Sequence, residues 1–110
     1  MQIIAENSQL EKDGVRYLIR GPDIDWGVMQ LAPKQKKPAH YHEQLAESFY
    51  VMQGTITFIV KGVEKEIPAG TAVRIDALEP HAFWNKSATD WAKMVFIKEK
   101  YLPKDKIDVP

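Results

Sequence analysis

The residues of this chain best suited to chemistry are three histidines and one glutamate. His40 and His42 are separated by one residue, Glu47 follows five positions after His42, and His81 stands much later. On an extended strand, residues i and i+2 point to the same side, so both imidazoles can approach one ion. Imidazole nitrogens bind a divalent metal at about 2.0–2.2 Å, and a carboxylate balances its charge. The spacing therefore predicts one metal site with His40, His42, Glu47 and His81 as ligands.

Two alternatives stand against this prediction. A single histidine in a folded protein usually has a structural, hydrogen-bonded role, although that role does not explain a pair two residues apart followed by a glutamate. The second alternative is Glu43 as the carboxylate ligand. Glu43 directly follows His42, so on a strand it should point to the opposite face. We therefore expect Glu47, rather than Glu43, in the site.

The elements that must position these residues are predicted to be strands. Short apolar runs rich in β-branched and aromatic residues recur between turn signals, which is typical of an all-β protein. The predicted strands cover residues 15–19, 26–31, 48–52, 55–60, 71–75, 82–85 and 92–98. Alternation within a strand separates its two faces. In 55–60, it places Ile56, Phe58 and Val60 on a buried face and Thr55 and Thr57 on the other.

Seven or eight such strands in 110 residues predict a β-sandwich or a jelly-roll barrel. We expect one domain over residues 1–110, with the core barrel at about 14–100. The stretch 101–110 contains two prolines and several charges. It is predicted to be a C-terminal tail rather than a strand, able to dock on a neighbouring subunit.

The segment 40–54 resembles the first conserved motif of the cupin superfamily. It reads His-Tyr-His, four residues, glutamate, six residues, glycine. Gly70, His81 and Asn85 keep the spacing of the second cupin motif. The resemblance implies a double-stranded β-helix, which is a jelly-roll barrel, and it implies the same four metal ligands.

Two places depart from the cupin pattern. Lys34 stands where the first motif opens with glycine, and Asp76-Ala77-Leu78 replaces the Pro-x-Gly of the second motif. Because glycine adopts positive φ at little cost, we expect both turns to differ in backbone conformation from the family norm. The ligand positions are unaffected.

Composition excludes several kinds of partner. Fifteen basic residues balance fifteen acidic ones, so no long-range field attracts nucleic acid or an anionic membrane. The chain has no cysteine, which removes disulfides and thiolate ligands. No targeting segment or membrane span is recognisable, so a cytoplasmic location is the default expectation. A small molecule is the expected ligand or substrate.

If Glu47 and His81 face the barrel interior, alternate residues along the strands do the same. The residues predicted to face inward are Phe49, Val51, Ile56, Phe58, Val73, Ile75, Phe83, Asn85, Met94 and Phe96. They predict a mostly apolar cavity, with ordinary core packing as the alternative for each. Trp84, Tyr50 and Met52 fall on outer faces and, with the resemblance to small cupins, predict a homodimer.

The ligand set is typical of a mononuclear metal enzyme. A dioxygenase is the leading hypothesis, because an apolar cavity suits a small organic substrate, and a metal-dependent isomerase or lyase is the first alternative. A non-catalytic binding or sensor protein is the other, since no inward-facing acid–base pair can be named besides the ligands. Iron, manganese, nickel and zinc all accept these ligands, so the cofactor is predicted only as one divalent transition metal.

Overall fold

Ten β-strands form nearly all the regular structure of the chain. A computed structural model describes residues 1–110 and contains, besides the strands, one 3-10 helix at Glu6–Ser8. The strands are β1 (Val15–Arg20), β2 (Asp25–Leu31), β3 (Lys36–His42), β4 (Glu47–Gln53), β5 (Thr55–Val60), β6 (Val63–Pro68), β7 (Thr71–Ile75), β8 (His81–Trp84), β9 (Ala92–Lys98) and β10 (Lys106–Asp108). No helix is long and apolar enough to cross a membrane.

The strands form two five-stranded sheets. One sheet has the order β1-β2-β9-β4-β7 and the other β10-β3-β8-β5-β6. All neighbouring strands are antiparallel. The prediction of an all-β jelly-roll barrel is confirmed.

The core lies between the sheets and consists of inward-facing apolar side chains. Its eleven buried members are Met29, Leu31, Phe49, Val51, Ile56, Phe58, Ile75, Phe83, Ala92, Met94 and Phe96. Alternation predicted most of them, and Val73 is only partly buried against the cluster. Thr57 was expected on the unburied face of β5. It does lie on the outer face, but it is only 2% exposed. It lies there between its cross-strand partners Trp84 and Glu66.

Three strands lie outside the predicted set. β3 and β6 are rich in lysine, glutamate or histidine, so they carry little of the apolar alternation by which strands are recognised. β10 corrects the expectation of a C-terminal tail. Its residues pair with β3, with Lys106 opposite His42 and Asp108 opposite His40. The barrel therefore extends beyond the predicted limit near residue 100.

The two turns that lack the glycines of the cupin pattern each contain a residue in the left-handed region. Lys34 and Leu78 adopt positive φ angles of 64° and 69°. A side chain in this region is strained by contact with its own backbone. The expected difference of these turns from the family norm stays a prediction.

Candidate metal centre

One end of the barrel, which we call the site end, carries the four predicted ligands. β3 supplies His40 and His42, β4 begins with Glu47, and β8 begins with His81. His40 lies directly opposite His81 across the β3–β8 pair. One potential ligand atom from each of the four residues lies within 4.8 Å of the others. The structure therefore brings together all four residues that the sequence selected.

In two of the histidines, the Nδ1 ring nitrogen is hydrogen-bonded to a backbone carbonyl oxygen. His42 Nδ1 lies 3.0 Å from the Asp105 carbonyl oxygen, and His81 Nδ1 lies 2.8 Å from that of Glu79. Because a carbonyl oxygen only accepts, each Nδ1 must be the donor. In the neutral ring, Nε2 then carries a lone pair. Metal-binding histidines are commonly oriented by this kind of bond.

Both Nε2 atoms point towards the same carboxylate oxygen. Glu47 Oε1 lies 3.1 Å from His42 Nε2 and 3.6 Å from His81 Nε2. The His81 Nε2 atom is buried and has no hydrogen-bond partner. Lone pairs facing a carboxylate repel one another unless a cation lies between them. The donor set and the unpartnered nitrogen thus fit a divalent metal.

The charge states of the cluster also suit a cation. Burial alone would raise the pKa of Glu47, but hydrogen bonds from the His42 and His81 rings, when these carry a proton on Nε2, lower the pKa to about 2. Burial lowers the pKa of His40 to about 3, and the nearby Lys106 ammonium group, together with His81 when it is protonated, adds to this effect. At neutral pH the site therefore presents an ionised carboxylate and a neutral His40 imidazole, which are the protonation states that bind metals.

Asp105 supports the predicted metal site, and no local sequence pattern pointed to it. Its carboxylate accepts hydrogen bonds from the backbone N–H groups of Glu43, Gln44 and Leu45, at 3.0, 2.9 and 3.2 Å. The same residue holds His42 through its carbonyl oxygen. Asp105 therefore fixes the turn between two ligand-bearing strands. The Glu43 residue is exposed, in agreement with its exclusion as a ligand.

A cavity of about 70 Å³, which we call the inner chamber, adjoins the ligands. It is lined by Val15, Tyr17, Met29, His40, Glu47, Phe83, Phe96, Lys98 and Lys106. Five of these nine residues are apolar, and the other four, His40, Glu47, Lys98 and Lys106, are polar or charged. The other predicted wall residues pack in the core. Tyr17 and Lys98, which the sequence analysis did not select, form an inward-facing pair with Nζ 2.7 Å from the phenol oxygen.

Asn85 lies away from the four predicted ligands. Its side-chain amide donates to the carbonyl oxygens of Leu31, Ala32 and Asp90, at 3.1, 3.2 and 2.8 Å. These bonds tie β8 to the turns at the opposite end of the barrel. Asn85 is buried, as predicted, but its role in this structure is to hold loops.

Comparisons with known proteins agree with the fold. A model of the cupin domain matches residues 27–98, while a search of curated proteins gives no match. The polyketide cyclase RemF from Streptomyces resistomycificus is similar at a TM-score of 0.82 and 18% identity, over 100% of this chain and 86% of that chain.

Two further solved structures are similar. A double-stranded β-helix protein from Klebsiella pneumoniae subsp. pneumoniae has a TM-score of 0.78 at 14% identity, over 91% of this chain and 85% of that one. An oxalate oxidase has a TM-score of 0.78 at 20% identity, over 98% of this chain and 63% of that one. At these identities the likeness establishes the fold alone.

Proposed function

This chain belongs to the cupin family, and we propose that it is a mononuclear metal-binding cupin that acts as a small-molecule enzyme. The proposed ligands are His40, His42, Glu47 and His81. One observation carries the proposal: three imidazoles and a carboxylate converge at a buried point where the His81 Nε2 atom has no hydrogen-bond partner. Iron, manganese, nickel and zinc are the candidate metals.

The proposed reaction class is oxygen-dependent, as in a dioxygenase. A divalent metal bound by four protein ligands would supply a Lewis acid with open coordination positions or, if redox-active, a centre for oxygen chemistry. Phe83, Phe96 and Met29 give the inner chamber apolar walls, which exclude water from a small organic substrate. The names of two similar structures, polyketide cyclase and oxalate oxidase, favour an enzymatic role.

A metal-dependent isomerase or lyase is the second candidate. The observation that favours it is the Tyr17–Lys98 pair, which lines the inner chamber together with Glu47. A phenol bonded to an ammonium group can give or take a proton near a bound substrate. This pair removes the argument, made from the sequence alone, that the interior lacks acid–base groups.

Metal content tests the ligand assignment. We expect purified protein to bind about one metal ion per chain, and Glu47→Gln and His42→Ala each to lower the affinity by roughly tenfold or more, since even residues behind the ligands cost that much. Glu43→Gln is the matched control, because it removes an exposed carboxylate four residues away. Equal metal content in Glu47→Gln and Glu43→Gln would refute the assignment.

Oxygen consumption separates the candidate reactions. Protein loaded in turn with each candidate metal would be mixed with small organic acids, catechols and β-diketones in an oxygen electrode cell. Substrate loss with matching oxygen uptake supports a dioxygenase, and substrate loss without oxygen uptake supports an isomerase or lyase. Tight binding with no substrate loss would instead favour the non-catalytic sensor.

A homodimer is the proposed assembly. Tyr50 and Met52 are each 47% exposed and Ile97 37% exposed, on adjacent strands β4 and β9. Such an apolar outer face is typical of a subunit contact. Sedimentation equilibrium of the wild type and of Tyr50→Glu tests this, with a monomeric wild type as the contradicting result. The cytoplasmic location stays a prediction, which cell fractionation would check.

A further inference from the structure

Lys98 is a buried lysine that has no carboxylate partner. It ends β9 and points inward with Met94 and Phe96, and it is only 9% exposed. Its Nζ atom donates to the Tyr17 phenol oxygen at 2.7 Å, and it takes part in none of the ion pairs of the chain. Buried lysines are nearly always paired. Its ammonium group is therefore bonded to a phenol and to no carboxylate, although it lies close enough to Glu47 to help lower the pKa of that carboxyl group.

The two carboxylates opposite Lys98 already contact other side chains. In the sheet, Lys98 lies between Asp25 on β2 and Glu47 on β4. Asp25 accepts two hydrogen bonds from Arg20, at 3.1 and 3.0 Å. Glu47 faces His42 and His81 in the proposed metal site. The neighbouring acids thus leave the ammonium group of Lys98 free for a ligand in the inner chamber.

The approach to the inner chamber is also basic. A larger groove of about 580 Å³, which we call the outer groove, shares Val15, Tyr17 and Lys106 with the chamber lining. Its charged residues are Lys12, Asp13, Arg20, Lys37 and Lys106. Arg20 is paired with Asp25, which leaves three positive groups and one negative group to attract anions to this entrance, although the chain as a whole is neutral.

We propose that the inner chamber binds the carboxylate group of a small organic anion, with Lys98 and Lys106 as its cationic partners. The proposal rests on the proposed function, because the metal would contact the same anion from the side of Glu47 and the histidines. A chamber of about 70 Å³ holds roughly two water-sized groups, at about 30 Å³ each. That volume suits a carboxylate head, and the rest of the molecule lies in the outer groove.

Binding of propionate and propionamide to the zinc-loaded protein, followed by NMR titration at low salt, tests the charge preference. The two probes have nearly the same shape, but only propionate is charged. We expect propionate to bind at least about tenfold more tightly, because hydrogen bonds to charged groups are roughly twice as strong as neutral ones. A ratio near one would overturn the proposal, as would inorganic phosphate binding more tightly than propionate.

Lys98→Met assigns that preference to one residue, and Lys65→Met is the control. Lys65 is an exposed lysine on β6 and lines neither cavity. We expect Lys98→Met to lower the propionate-to-propionamide ratio by about fivefold with its metal content unchanged, since Lys106 and the metal still favour the anion. Lys65→Met should leave the ratio intact. An unchanged ratio in folded Lys98→Met would overturn the proposal. If Lys98→Met fails to fold, the propionate-to-propionamide ratio of the wild type decides whether the proposal stands.

The proposed metal site and the proposed anion site can be refuted separately. If the wild type binds no metal, the proposed function fails, and the same two probes are then titrated into the metal-free protein. A preference for propionate of about tenfold that falls by about fivefold in Lys98→Met would keep the anion site. Normal metal binding with no preference for propionate would leave the metal centre and remove the anion site.

Discussion

The two ends of the barrel are built from the same strands but from opposite kinds of side chain. β4 faces inward with Glu47 at the site end and with Val51 at the other, and β9 does so with Lys98 and Met94. Period-two alternation sets which residues face inward at both ends. Apolar burial stabilises one end, whereas the other buries charge and depends on hydrogen bonds such as those of Asp105. In each of these strands, the residues that stabilise the fold therefore lie at one end and the residues proposed to do chemistry lie at the other.

The largest expected effect comes from the apolar end. Phe58 packs edge-to-face against Phe49 and Phe83, with ring centroids 5.4 and 5.0 Å apart. We expect Phe58→Ala to lower the free energy of unfolding by about 3–5 kcal/mol, measured by urea denaturation, with Val63→Ala on an exposed position as control. Metal bound per folded chain should stay the same. Metal loss in folded Phe58→Ala would mean that the two ends are not separate.

Asp105→Asn probes the support of the site end. It removes a charged acceptor from three backbone N–H groups in the turn between β3 and β4. We expect metal affinity to fall by about 10–100-fold, since residues that orient ligands have effects of this size. Competition with a chelator measures it, and Asp23→Asn, in an exposed turn, is the control. Unchanged affinity would show that the turn is held by other contacts.

Acid should lower the free energy of unfolding of the metal-free protein, because His40 is protonated more readily in the unfolded chain. The pKa of this partly buried imidazole is lowered to about 3, while in the unfolded chain it is near the ordinary value of about 6.5. Between these values the unfolded state binds more protons, so stability falls as pH falls, by at most about 1.4 kcal/mol per pH unit for one proton. Urea denaturation from pH 7 to pH 4 measures it, and His40→Gln should flatten the slope. An equal slope in both proteins would contradict this cause.

The smallest effect concerns the strained turn at Leu78. Its φ is 69° and its side chain is 64% exposed. Relief of left-handed strain exceeds the entropy that glycine costs, so Leu78→Gly should stabilise the protein by less than about 1 kcal/mol. Thermal melting would show the gain, and Ala88→Gly in an exposed loop without positive φ should destabilise instead. Destabilisation of Leu78→Gly would mean that its side-chain contacts outweigh the strain.

The sequence predicted that His40, His42, Glu47 and His81 lie together, as they do in the structure, because spacing and alternation are local properties. Three of them lie within eight residues, on two consecutive strands. Lys98 was also within reach, since it continues the inward alternation of Met94 and Phe96, but a lysine in the interior is rare enough to be passed over. Nothing local singles out Asp105, whose partners lie about sixty residues earlier in the chain. Long-range contacts of that kind appear only in the folded chain.

The binding of one metal ion by the four predicted ligands can be tested with a crystal of the protein grown with zinc and measured at the zinc absorption edge. We expect one anomalous peak per chain, at about 2.0–2.2 Å from a nitrogen of His40, His42 and His81 and from a carboxylate oxygen of Glu47. A peak bound by other residues, or no peak between these four side chains, would contradict it.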